Sequence, residues 1–173
     1  MSSRVRGRNI IGGIPVHAEV REWVARWCGI DQFVRTLEVG SRDINGGVRD
    51  LIRTENYFGV DLFAGPGVDR VCDARDLEYD GQFDLVCCLE ALEHEPDPEG
   101  LIDTLGRLCA PGGLVVATAG GRGREPHSAH DGAALRPGEH YGNLTERHLV
   151  VPWGEVLGCE IKDTDWRVVW RKF

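Results

Sequence analysis

Apolar runs and polar, turn-prone segments alternate along most of this chain, and their spacing predicts its elements. From Val16 to Gly29 the residues Val16, Val20, Trp23, Val24 and Trp27 recur at three- and four-residue steps, the pattern of an amphipathic helix stopped by Gly29. Phe33 to Val39 reads as a short strand, broken by Arg35 and Thr36, that reaches an acid, Glu38, and turns at Gly40. Polar residues then lead through Gly46 and Gly47 into a short helix over Val48 to Ile52. Tyr57 to Asp61 is a second strand ending on an acid, Phe63 to Gly67 is a loop, and Val68 to Cys72 is a third, short strand. Phe83 to Leu89 is nearly all apolar after Asp84, as expected of a central parallel strand covered on both faces. Pro98 to Ala110 is helical, with Leu101, Ile102, Leu105 and Leu108 on one face and Pro111-Gly112-Gly113 ending it; Leu114 to Ala119 is a fifth strand. Leu144 to Leu157 predicts a last helix, and Glu160 to Lys172 one or two terminal strands.

Strand and helix repeated with short connections predict an α/β fold: a doubly wound, mostly parallel sheet flanked by helices, with a shortened C-terminal strand region. Ligands of such sheets sit beyond the carboxyl ends of the strands. Glu38, Asp61, Asp73 and Glu90 all follow or end predicted strands, so they share that surface. Residues 1–173 are expected to form a single domain, with 1–15 a loose lead-in and 120–143 a lid, since a long segment rich in Gly, Pro and His without periodicity is usually functional.

Composition narrows the partners. Hydrophobic residues make up 42% of 173, enough for one core. The formal net charge of −8 repels phosphate polymers, so general nucleic-acid binding is not expected, although Arg4, Arg6 and Arg8 form a local basic patch. No run of about 18 apolar residues is present and the start lacks a signal-like apolar core, which predicts a cytoplasmic protein without a membrane partner. Six cysteines without C-x-x-C spacing read as reduced thiols packed in the core rather than a disulfide frame or a zinc site.

Five segments in order resemble the class I S-adenosylmethionine-dependent methyltransferases of the ubiquinone-biosynthesis type: Leu37-Glu38-Val39-Gly40, Gly59-Val60-Asp61, Cys72-Asp73-Ala74, Phe83-Asp84-Leu85-Val86 with Glu90-Ala91-Leu92-Glu93-His94, and Leu108-Cys109-Ala110-Pro111-Gly112-Gly113. The resemblance implies a Rossmann-like fold and S-adenosyl-L-methionine as cofactor. It implies cofactor contacts from Glu38, Gly40, Ser41, Asp61, Leu62, Asp73, Ala74 and Glu90, with Asp61 on the ribose hydroxyls and Asp73-Ala74 at the adenine. One departure stands out: the glycines expected after Gly40 are replaced by Arg42 and Ile44, so Arg42 must point away from the cofactor or cap it. If that loop no longer admits the cofactor, the alternative is a non-catalytic binding or assembly module.

Methyl transfer mainly requires an acceptor held in line in a dry pocket, with a base for its proton. His94, His130 and His140 are the catalytic candidates, with His127 beside them on the predicted lid. A small-molecule or modified-polymer acceptor, methylated at oxygen, and a monomer or homodimer are the expectation. If Glu90, Glu93 and His94 start a helix they share a face, and with His130 or His140 they resemble the divalent-metal set of some O-methyltransferases; the plainer reading, without metal, is preferred. Trp23, Trp27, Trp166 and Trp170 read as core or edge cover, and His17 and His148 as helix-surface residues.

Overall fold

The computed structural model describes residues 18–173 except Asn45 and Asp163. The predicted lead-in with its basic patch, and Val16 and His17 of the predicted first helix, lie outside the described residues.

Among the described residues seven strands form one sheet: β1 (Phe33–Val39), β2 (Thr54–Asp61), β3 (Arg70–Val71), β4 (Phe83–Leu89), β5 (Cys109–Gly120), β6 (Gly154–Ile161) and β7 (Asp165–Lys172). Their order is β3-β2-β1-β4-β5-β7-β6. The first five are mutually parallel, and β7 runs antiparallel to both β5 and β6. The order reverses between β1 and β4, so chain leaving these neighbours diverges and opens a crevice at their carboxyl ends.

Side chains alternate between two cores as the pleat requires. Leu37, Val86, Cys88, Val115, Ala117, Trp166 and Trp170 pack under α2 (Pro98–Leu108) through Leu101, Ile102, Leu105 and Leu108. Phe33, Leu85, Cys87, Val116 and Val169 face α1 (Ala18–Cys28) through Trp23, Val24 and Cys28. Helix α2 starts where Asp97 accepts the amide of Gly100 at 3.0 Å and Pro98 takes the first turn, an N-cap followed by a residue with no amide hydrogen to lose. The tryptophans on β7 are core, as the plainer sequence reading has it. Four of the six free thiols are buried; Cys72 is half-buried and Cys159 exposed.

The structure departs from the sequence reading at several elements. Between β1 and β2 the chain makes only a 3-10 turn at Arg49–Leu51, because Val48 to Arg53 is too short to hold an α-helix and still reach β2. Strand β3 shrinks to Arg70–Val71, and α2 ends at Leu108 with the Pro111-Gly112-Gly113 segment drawn into β5. The predicted helix Leu144 to Leu157 is a 3-10 turn at Glu146–Leu149 followed by β6; Pro152 has no amide hydrogen for a helix, and Gly158 leaves the space that the Trp27 ring occupies. His148 is buried, its Nδ1 accepting the amide of Thr145 at 2.9 Å. The short C-terminal region nonetheless holds two eight-residue strands.

Among the described residues no helix is long and apolar enough to cross a membrane. Leu105 is fully buried between α2 and the sheet. Its truncation in Leu105→Ala leaves a cavity and is expected to cost about 2–5 kcal/mol, read as a lower urea midpoint at unchanged slope; an unshifted midpoint contradicts this packing.

Candidate active site

The carboxyl ends of β1, β2, β3 and β4 surround one cavity of about 780 Å³. Glu38 and Gly40 to Asp43 line it from β1, Asp61 to Phe63 from β2, Cys72 to Arg75 from β3, and Leu89 to Ala91 with His94 from β4. Gly123 to Ala129 and Gly132 to Ala134 close it from the other side. All eight residues singled out in the sequence as cofactor contacts line this cavity.

Local geometry explains why they converge. Gly40 has φ 76°, and a Cβ there would lie 2.7 Å from that of Ala91, so only glycine turns the chain this close to β4. The turn lets the Gly40 and Ser41 amides donate to the Val60 carbonyl at 2.9 and 3.1 Å. Asp61 then ties two loops together, its Oδ2 accepting the amide of Arg42 at 3.2 Å and its Oδ1 that of Phe63 at 2.9 Å. Each carboxylate oxygen keeps a lone pair for a further donor. Asp73 caps a short 3-10 turn by accepting the Arg75 amide at 2.9 Å, and the Arg75 guanidinium bridges Asp73 and Glu95.

The two acids nearest the switch point differ in partners. Glu38 accepts the hydroxyl of Tyr57 at 2.7 Å, and burial outweighs that bond, raising its carboxyl to about 7. Glu90 has φ 53°, the one positive value at a non-glycine among the described residues, a sparsely populated conformation that clusters at functional sites. Its amide donates to Thr118 at 2.8 Å and its carboxylate pairs with Arg124 at 3.3 Å.

The twist at Glu90 corrects the expected shared face. Glu90, Glu93 and His94 do not lie along one helix, because the chain turns through a 3-10 segment at Leu92–His94 that sends Glu93 into the core. Glu93 is fully buried with no hydrogen-bond partner on either oxygen, and burial, then the charge of Glu90, pushes it up to about 8. His94 stays beside the cavity. Burial first and then neighbouring His127 lower it to about 4, so its ring is neutral at physiological pH. It meets the rings of His127 and Tyr141 at 5.1 and 5.4 Å.

His127 lines the cavity beside His94, whereas His130 and His140 do not line it, although the His140 backbone lies within hydrogen-bond reach of the His94 ring. His130 packs its ring on Phe63 at 4.7 Å and approaches Glu139 at 3.6 Å. Among the described residues the alternative metal set of Glu90, Glu93 and His94 with His140, which was not the preferred reading, does not assemble. Among the described residues one group has ligand character: a Glu93 oxygen and ring nitrogens of His94 and His127 lie within 4.8 Å of one another. Two imidazoles and a carboxyl suit zinc better than magnesium, and Glu93 must lose its proton to join them.

A mostly parallel sheet with an antiparallel seventh strand, and a cavity ringed by strand-end acids, define an α/β domain of the nucleotide-binding kind. More narrowly, the chain belongs to the methyltransferase domain family, whose model matches residues 16–161. It is 35% identical over 122 residues to the ubiquinone biosynthesis O-methyltransferase of Pseudomonas aeruginosa, covering 59% of this chain and 48% of that protein. The Escherichia coli protein of the same name is 32% identical over 104 residues, 60% of this chain and 37% of that one. The chain thus spans less than half the length of these curated relatives. Among solved structures, the N-methyltransferase NodS of Bradyrhizobium japonicum, in complex with S-adenosyl-L-homocysteine, shares the fold with a TM-score of 0.64 at 15% identity over 95% of this chain and 90% of that one. The 1,6-didemethyltoxoflavin-N1-methyltransferase of Burkholderia thailandensis gives 0.62 at 15% identity over 91% and 77%.

Buried Glu93 makes stability depend on pH with a definite sign. Its carboxyl is raised from 4.5 to about 8, so between those values the folded chain binds more protons than the unfolded one. The stabilisation is complete below the lower value and is lost as pH rises through the upper. Urea unfolding at about pH 5 and about pH 8.5 is expected to show wild type losing on the order of a few kcal/mol more than Glu93→Gln, which has no proton to lose. Parallel pH profiles for the two proteins contradict a buried, protonated Glu93.

Proposed function

We propose that this chain is an S-adenosylmethionine-dependent methyltransferase that methylates an oxygen of a small-molecule acceptor. The observation that carries the reading is the convergence of Glu38, Gly40, Asp61, Asp73, Ala74 and Glu90 on one cavity. That volume lies within the range of about 300–1,000 Å³ usual for small-ligand sites. The relatives named as O-methyltransferases support oxygen as the acceptor atom.

In this reading Asp61 offers its remaining lone pairs to the ribose hydroxyls, and Gly40 lets backbone lie against the ligand. Asp73 and Ala74 border the adenine, while Glu90, held by Arg124, faces the methionine end. The cofactor supplies an activated methyl on a cationic sulfonium, so no covalent residue is required of the protein. The chain's task is to hold an acceptor hydroxyl in line and exclude water. His94 and His127 stand at that end, and a neutral imidazole there takes the hydroxyl proton as the new bond forms. The closing segment over the cavity favours a small molecule over a polymer.

Arg42 and Ile44 line the cavity without filling it, which favours the enzyme over the non-catalytic module. Calorimetry with S-adenosylhomocysteine tests the reading directly. Saturable binding by wild type, weakened about tenfold or more in Asp61→Ala by loss of charge-assisted hydrogen bonds, is expected. No heat at millimolar ligand sinks the reading.

A further inference from the structure

Arg42 reaches across the cavity. Its aliphatic stem lies on the loop after β2, where a Cβ on Gly65 would come within 2.7 Å of its Cγ. From there its guanidinium sits over the Phe63 ring, 5.3 Å from the centroid, and Nη2 donates to the carbonyls of Ala129 and His130 at 3.1 and 3.3 Å. The His130 ring packs on the same Phe63, so three loops meet at this one side chain.

The segment it grips is a unit of its own. Ser128 donates from its hydroxyl to Glu139 at 2.6 Å and from its amide to Ala133 at 2.8 Å. Glu139 also accepts the amide of Arg136 at 2.7 Å, and His127 bridges Ala134. A segment so bonded within itself is held together as a compact loop, with Gly123 and Gly142 on either side of it.

We propose that Arg42 is a positioning residue that latches residues 126–139 over the cavity and so couples the loop touching one ligand to the lid enclosing the other. The carbonyl acceptors belong to Ala129, which lines the cavity, and to its neighbour His130, so losing the latch frees the cavity wall itself. Arginine suits the task because its planar fork donates while its face stacks on the aromatic ring, which a lysine ammonium does in part only. Retention of a ligand by this latch rests on the proposed methyltransferase reading; the latch does not.

Hydrogen exchange of the full chain without ligand is the test. In Arg42→Ala the amides of 126–139 are expected to exchange about tenfold faster or more, the loss of two hydrogen bonds from a charged donor, while those of α2 and β4 stay unchanged. Arg42→Lys is expected to fall between, and Phe63→Leu, which removes the shared ring, to loosen the same amides with Arg42 intact. Equal lid exchange in wild type and Arg42→Ala overturns the proposal. With S-adenosylhomocysteine, faster release from Arg42→Ala at an unchanged melting midpoint supports coupling to the ligand, and equal release overturns that half. If wild type binds no S-adenosylhomocysteine, the methyltransferase reading fails and the exchange result still decides the latch.

Discussion

How closely the loop after β1 can approach the end of β2 sets everything at the carboxyl edge of this sheet. Ser41 lies where a side chain on Gly59 would be, with the Gly67 carbonyl on the other side. Because no Cβ intervenes, the Asp61 carboxylate can reach backone amides of two loops at once, and the Gly40 and Ser41 amides can share the Val60 carbonyl. A methyl group at this contact would part the loops and leave buried backbone groups unpaired, at a cost of about 1–3 kcal/mol for each. The cavity walls are thus held by backbone proximity more than by any one charged pair.

That constraint explains what the sequence makes legible. A parallel sheet brings all strand ends to one edge, so identifying the strands at Phe33, Tyr57, Val68 and Phe83 is enough to group Glu38, Asp61, Asp73 and Glu90. The acceptor side was not legible in the same way. His127 and His130 are three residues apart in one irregular segment, and only the internal bonds of Ser128 and Glu139 turn the first toward His94 and the second toward Phe63. The burial of Glu93 depends on the left-handed turn at Glu90, for which a non-glycine residue gives no signal.

Strand β6 was illegible for a different reason. It lies at the edge of the sheet with most of its residues partly exposed on both faces, so no period of two is imposed on its sequence. The neighbouring β7 is buried throughout from Trp166 to Trp170, with Trp166, Val168 and Trp170 in the α2 core and Val169 in the α1 core, and its apolar residues stand out in the sequence. The helix expected over Leu144 to Leu157 came from apolar residues that serve separate contacts: Leu144 in the main core, Trp153 against Gly106 of α2.

The two ends of the cavity are electrostatically distinct, and the fold supplies the difference. Around Asp61, Asp73 and Glu90 the acids keep charged or amide partners, including Arg75 and Arg124, and remain open to a polar ligand. At the other end Glu93 holds its proton and His94 is neutral, both because burial disfavours charge there. A neutral His94 carries a free lone pair at a pH where an exposed histidine is partly protonated, and its low proton affinity limits its strength as a base. Its neighbour His127 packs edge-on against the His94 ring at 5.1 Å, and Tyr141 packs against both rings. A base at this end that takes the acceptor's proton gains a positive charge, so the burial that keeps His94 neutral also opposes its holding that proton, which must pass on to a neighbouring group or to water.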